Sequence, residues 1–290
     1  MSVDVLSLPD VVGAARSVLE RESSSTSSWD SSPWSFSARA AGHVVELSVS
    51  RPRASGAGGL RGSVSSFSSA SRRRLFRRAA SCDWLVLGPS NVFVTLTFPG
   101  EFPATAVAKS HLRRFRLAWF RRFGSAVGMW KLEYQRRGAP HFHLALACSV
   151  PVVEVRSWVA ATWYEIVASG DLRHLAAGTE CDLLSGSPAA YFAGYVGRYG
   201  SKEYQHVVPP EDSPGRFWGV WGLPSDWSEW ELSARAFFQI RRALASYGRS
   251  RSSRRGFRAV GRVQGGWQFV DGSALLVLWR LLGFYGGLRC

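Results

Sequence analysis

The sequence predicts an α+β fold: an antiparallel sheet with helices packed on one side. Three observations carry that expectation. Val92-Phe93-Val94-Thr95-Leu96-Thr97-Phe98 is rich in β-branched and aromatic residues and is stopped by Pro99-Gly100, as a strand is. Two further strand patterns, 129–135 and 141–147, flank Arg136-Arg137-Gly138, the makings of a hairpin. Helical patterns at 105–123, 152–168 and 188–202 are interleaved with these strands and with a short strand at 179–184, an order that suits a sheet covered on one face.

Taken in order, residues 1–40 read as poorly ordered. The run 22–28 is low-complexity and polar, with Trp29 and Trp34 as isolated aromatics. Val44-Val45-Glu46-Leu47-Ser48-Val49 alternates as a strand does, and a Gly/Ser-rich stretch, 54–70, follows. A basic helix then starts at Ser71, with Ser71 as its N-cap. In 105–123 the apolar positions Leu112, Phe115, Leu117, Trp119 and Phe120 alternate with arginines. Beyond Gly215 the chain is rich in Trp, Gly and Arg; strands near 256–270 and an apolar helix near 273–282 are expected. The division that follows is a largely low-complexity region with one strand (1–68), a central domain (69–222) and a basic Trp/Arg-rich region (223–290).

Among the 290 residues, 36 Lys and Arg face 21 Asp and Glu, a net charge of +15. Arginine supplies most of the excess. Its guanidinium forks onto phosphate oxygens and stacks on bases, which suits nucleic acid better than a membrane surface. The hydrophobic share of 46% excludes wholesale disorder. Cys82, Cys148, Cys181 and Cys290 contain no CxxC pair, which argues against a zinc ribbon or a disulfide scaffold and fits a reducing compartment. With no secretory signal, and with 274–282 too short to span a bilayer and carrying Arg280, the expectation is a cytoplasmic protein without membrane partners.

The segment Lys131-Leu132-Glu133-Tyr134-Gln135-Arg136-Arg137-Gly138-Ala139-Pro140-His141-Phe142-His143 is the most informative. Side chains alternate along a strand, so His141 and His143 share a face while Phe142 points to the core. A three-residue loop with Gly138 in the left-handed conformation pairs Gln135 with Ala139, Tyr134 with Pro140 and Glu133 with His141. Glu133 then joins the histidines' face. Two imidazoles and a carboxylate make a three-ligand metal site with open positions for a substrate oxygen and water. The residues alone leave a second reading open, in which the three decorate a solvated sheet face.

Ser187-Pro188-Ala189-Ala190 opens a helix, with Ser187 as N-cap and Pro188 in the first turn. Tyr191 and Tyr195 lie on one face of it, a turn apart, and Tyr199 extends the row. A tyrosine hydroxyl has an ordinary pKa of about 10 and becomes a useful nucleophile beside a cation that favours the phenolate. Arg198 and Lys202 are candidates for that cation. An aromatic stripe at this spacing serves a core equally well.

Thr95-Leu96-Thr97-Phe98-Pro99, His141-Phe142-His143 and Tyr191-Phe192-Ala193-Gly194-Tyr195, in this order, resemble the three motifs of the HUH endonucleases. Within them the resemblance is to replication initiators of small single-stranded DNA phages and rolling-circle plasmids, and it covers roughly residues 70–222. It implies a ferredoxin- or RRM-like core in which His141 and His143, helped by Glu133, hold Mg²⁺ or Mn²⁺ on a scissile phosphate. It also implies attack by a tyrosine on single-stranded origin DNA, leaving a 5′-phosphotyrosyl link and a free 3′-hydroxyl, with later rejoining of the strand. Family members with two tyrosines carry lysine three residues after each. Here those positions are Gly194 and Arg198, which ranks Tyr195 as the main nucleophile and Tyr191 as the second, with Tyr199, followed by Lys202, in reserve.

The chain has no Gly-x4-Gly-Lys-Ser/Thr loop, so unwinding is expected from a host helicase and extension from a host polymerase in the bacterial cell. Arg72, Arg73, Arg74, Arg113, Arg114 and Arg116, with a basic patch at 249–258, are expected to grip phosphates, together with Arg198 and Lys202 near the tyrosines. Tryptophans of the C-terminal third are candidates for stacking on unpaired bases. Rival functions are a transposase or relaxase of the same superfamily, and a non-enzymatic Arg-rich nucleic-acid-binding protein.

Overall fold

A computed structural model describes residues 34–42, 44–50, 64, 66–82, 84–87, 90–184, 205, 207–210, 212–224, 226–252, 259–263, 266–270, 278 and 281. The helix expected at 188–202, with Tyr191, Tyr195, Tyr199, Arg198 and Lys202, lies outside them, as does most of the helix expected at 273–282. The chain forms two compact units. One gathers 1–58, 80–82 and 225–290; the other comprises 59–79 and 83–224.

The second unit is built on a five-stranded antiparallel sheet. Its strands are β3 (Val92–Leu96), β4 (Gly128–Tyr134), β5 (Pro140–Leu146), β6 (Thr179–Leu183) and β7 (Trp218–Trp221). They lie in the order β6-β3-β5-β4-β7. Every residue of β3 is buried, which a β-branched and aromatic run between two partners makes possible. Helices α1 (Ser69–Ala80), α2 (Trp84–Leu87), α3 (Thr105–Phe123), α4 (Val152–Val167) and α5 (Leu172–Ala177) complete the unit.

Alternation decides which face meets the helices. Leu132, Tyr134, Phe142, Leu144, Val94 and Leu96 point to one side and are all buried. Onto this side α3 lays Ala108, Leu112, Phe115 and Trp119, and α4 lays Val155, Val159, Trp163 and Ile166. Each such large apolar side chain taken fully out of water contributes about 1.5–3 kcal/mol. Phe98, Phe115 and Trp163 interlock edge-on, with ring centroids 5.2 and 6.1 Å apart, and the Trp163 indole N–H donates to the Thr97 carbonyl at 2.5 Å. The α+β class and the one-sided helices expected from the sequence are what the unit contains.

The first unit is a second antiparallel sheet, of β1 (Ser35–Ala41), β2 (Val44–Ser50), β8 (Ser228–Leu232), β9 (Ala259–Val263) and β10 (Gly266–Val270), in the order β8-β1-β2-β10-β9. Helix α6 (Ala234–Ser252) covers it, with Phe237 5.1 Å from Phe36 and Ile240 and Leu244 in the same core.

Two local expectations are corrected. Residues 35–40, read as poorly ordered, belong to β1: Phe36, Ala38 and Ala40 face inward, but alanine gives little hydrophobic signal in a serine-rich stretch. The basic helix begins at Ser69 rather than Ser71. Ser68 is its cap, its Oγ accepting the Ser71 amide at 3.2 Å, while the Ser71 hydroxyl accepts the Trp218 indole N–H at 3.0 Å.

Candidate functional site

The β4–β5 hairpin sets the site. Gly138 has φ +82°, the left-handed conformation that glycine adopts without strain, and the Gln135 amide donates to the Ala139 carbonyl at 2.9 Å. The resulting register pairs Tyr134 with Pro140, Glu133 with His141 and Lys131 with His143. Thr95 of β3 pairs with His143 from the other side. Paired residues of an antiparallel ladder share a face, so Lys131, Glu133, His141, His143 and Thr95 all lie opposite α3 and α4.

These side chains form a chain of hydrogen bonds. Lys131 Nζ donates to Glu133 Oε1, and Glu133 Oε2 lies 3.2 Å from His143 Nε2. His143 Nδ1 is 3.2 Å from the Thr95 hydroxyl. With Glu133 ionised, Nε2 carries the proton of that bond, and the neutral ring then accepts the Thr95 hydroxyl at Nδ1. His141 stands beside His143, with ring centroids 4.4 Å apart and planes at 82°. His141 is half-buried, and Lys131 and Glu133 are each 1% exposed.

Burial alone would raise the Glu133 carboxyl. The hydrogen bond from His143 and the charge of Lys131 overcome it and hold the group well below the ordinary carboxylate range. Burial draws the Lys131 ammonium down, against the opposing pull of Glu133 and with a small push from Arg72. The ammonium also lies 5.4 Å from the centre of the Phe67 ring, a cation–π contact at desolvated range. Two imidazoles and one ionised carboxylate are donors of the type that divalent cations take. Among the described residues no three His, Cys, Asp or Glu side chains are assembled as a metal-binding group: Glu133 is bonded to Lys131 and His143 instead.

The expected phosphate-gripping arginines fall in two places. Arg72, on α1, donates from Nε to the Phe67 carbonyl at 3.2 Å, and its charge reaches Lys131; Arg73 beside it is exposed. Arg113 and Arg114 lie on α3, behind the sheet as seen from the histidines, and are exposed. Arg114 donates to the Ile166 carbonyl near the end of α4 at 3.1 Å, so it also ties the two helices together.

Sequence reasoning missed Lys131, whose signal was its i, i+2 relation to Glu133 on the strand. It also missed a loop that locks α3. The Asp212 carboxylate accepts the Thr105 amide at the helix's first residue at 3.2 Å, the Thr105 hydroxyl, and the Tyr134 hydroxyl at 3.2 Å. Burial and the Asp212 charge push the Tyr134 phenol up, against the Thr105 hydrogen bond. One turn along, Lys109 donates to the Pro214 and Arg216 carbonyls; burial and the Arg216 charge lower it to about 8, against Asp212.

Residues 91–204 match the family model of replication-associated proteins of the ORF2 type. The chain is also 29% identical over 179 residues to a protein of Xylella fastidiosa (strain 9a5c) named "Putative replication protein", an overlap of 58% of this chain and 59% of the relative. It therefore spans about three fifths of the length of that curated relative. No solved structure matches it. Among the described residues no helix is long and apolar enough to cross a membrane.

Proposed function

We propose that the chain is a replication initiator that nicks single-stranded DNA at an origin through a tyrosine. One observation carries the reading: the hairpin sets Glu133 directly across from His141, with His143 on the same face, within the segment similar to replication-associated proteins. His141, His143 and Glu133 would hold Mg²⁺ or Mn²⁺, with the His143 proton moved to Nδ1, where Thr95 can accept it. The ion would supply Lewis-acid stabilisation of charge on the phosphoryl oxygens.

Tyr195, with Tyr191 as the second candidate, supplies the nucleophile. Its phenol oxygen forms a bond to phosphorus as the bond from phosphorus to the 3′-oxygen breaks. The phenol proton is given up, and the leaving 3′-oxygen ends protonated as a hydroxyl from which a host polymerase extends. The reverse reaction rejoins the strand. Arg72, Arg73, Arg113, Arg114, Arg198 and Lys202 are proposed to hold the phosphates, and a host helicase to open the duplex.

The test uses single-stranded oligonucleotides tiling the replicon, Mn²⁺ and the full chain, with a covalent protein–DNA adduct as readout. Wild type should form the adduct and His141→Ala should not, while retaining DNA affinity because arginines carry that affinity. Absence of an adduct on every segment removes the enzyme reading and leaves a non-enzymatic nucleic-acid-binding protein. An adduct that survives Tyr195→Phe but not Tyr191→Phe reverses the order of the tyrosines.

A further inference from the structure

The outer side of β7 carries a second concentration of charge and aromatic surface, away from the histidines. A groove of about 840 Å³ runs there, lined by Arg74 of α1, Arg116 of α3, Arg216, and the indoles of Trp130, Trp218 and Trp221. The three arginines are exposed, and none of the described residues lining the groove is acidic. Arg78 also lines it but is turned to the chain itself, donating to the Leu223 and Pro224 carbonyls at 2.6 and 2.8 Å.

The aromatic surface is held in place. Trp218 is fixed by its N–H bond to Ser71, and the Arg116 guanidinium lies 5.8 Å from the centre of the Trp221 ring. Trp130 pairs with Gly219, and a β-carbon on that glycine would sit 2.7 Å from the indole nitrogen. Glycine there lets the ring lie flat across the edge strand. Trp130 and Trp218 are each half-buried, so part of each ring remains accessible.

We propose that this groove binds a single strand of DNA, its phosphates on Arg74, Arg116 and Arg216 and its bases against Trp130 and Trp218. Positive charge along a cleft with interleaved aromatic rings is the chemistry that holds unpaired nucleotides, whereas a duplex keeps its base faces stacked inside. The choice of DNA as the polymer rests on the replication reading above; the groove's role does not depend on the tyrosines or the metal.

The test measures binding of a dye-labelled oligothymidylate of about 12 nucleotides, within the span single-strand sites take, to the full chain by fluorescence anisotropy at several salt concentrations. The triple variant Arg74→Gln, Arg116→Gln, Arg216→Gln changes exposed side chains and should fold as wild type, checked by its melting curve. Its affinity should fall at least tenfold, and the slope of log affinity against log salt should become shallower by about 2, since each lost phosphate contact on a single strand removes about 0.7. Trp218→Ala should weaken binding roughly tenfold with the slope unchanged, and Trp218→Phe should restore most of it. Unchanged affinity and slope in the triple variant would overturn the proposal. So would a duplex of the same length that binds as tightly and loses as much. His141→Ala should bind the oligonucleotide like wild type: a chain that binds through the groove yet forms no adduct loses the nicking reading alone, and a chain that forms the adduct with the triple variant binding normally loses the groove alone.

Discussion

The Glu133 carboxylate lies directly across the hairpin from His141, yet it is bonded to His143, one pair further along, at 3.2 Å. The other oxygen is held by Lys131, so the carboxylate is the junction of a buried charged network.

The network should behave as a unit in stability. Glu133→Gln leaves a buried ammonium uncompensated, and Lys131→Met leaves a buried carboxylate without its cation. Either should cost about 3–5 kcal/mol. The double variant should cost less than the sum of the two by at least about 2 kcal/mol, because it strands neither charge. Urea unfolding of the four proteins measures this; additive losses would mean that the pair is not coupled.

The same carboxylate sets a pH dependence. Its folded-state pKa lies below the unfolded value, so the folded state favours the ionised form. The stabilisation is complete above the unfolded carboxylate range and is lost as pH falls below it, from about pH 5 downward. Glu133→Gln should flatten this limb of the stability curve. Melting temperatures between pH 3 and pH 7 for both proteins provide the comparison.

Asp212 should act as a cap supplied from a distant loop. Asp212→Ala removes the acceptor for the Thr105 amide and hydroxyl and should destabilise by about 1–2 kcal/mol. Tyr134→Phe in the Asp212→Ala background should cost less than in wild type, because the hydroxyl's partner is already gone. Chemical denaturation of the single and double variants reads both effects.

Gly219→Ala should disturb the groove rather than the histidines. The new methyl group would meet the Trp130 indole at 2.7–2.9 Å and must displace it, at about 1–3 kcal/mol. A changed near-ultraviolet circular dichroism spectrum with unchanged secondary structure would report the displaced ring; an unchanged spectrum would show that the edge has room for it.

What the sequence made legible was local. The period-two alternation around Phe142 and the glycine turn at Gly138 together determine a register, and a register determines which residues face one another. Lys131 was harder: a lysine in an alternating strand reads as a solvent-facing residue, and only burial beneath Phe67 reveals its partner. Asp212 was invisible, since a carboxylate capping a helix more than a hundred residues earlier leaves no trace in spacing. Strand β7 was hidden too, because Trp-Gly-Val-Trp, one small and three large residues, shows no clear alternation.

The pairing of β2 with β10 has a consequence for synthesis. Val44 hydrogen-bonds in register with Val270, so this sheet cannot close until more than two hundred further residues have left the ribosome. At translation rates of 5–20 residues per second, that leaves the β1–β2 ribbon without its neighbour for about 10–45 s. The second unit has no strand beyond Trp221 among the described residues, so its sheet can be complete first. The emerging chain therefore passes through a stage in which one sheet is assembled while the edge of β2, with Val44, Val45 and Leu47, is still open to strand addition and in need of a holding chaperone.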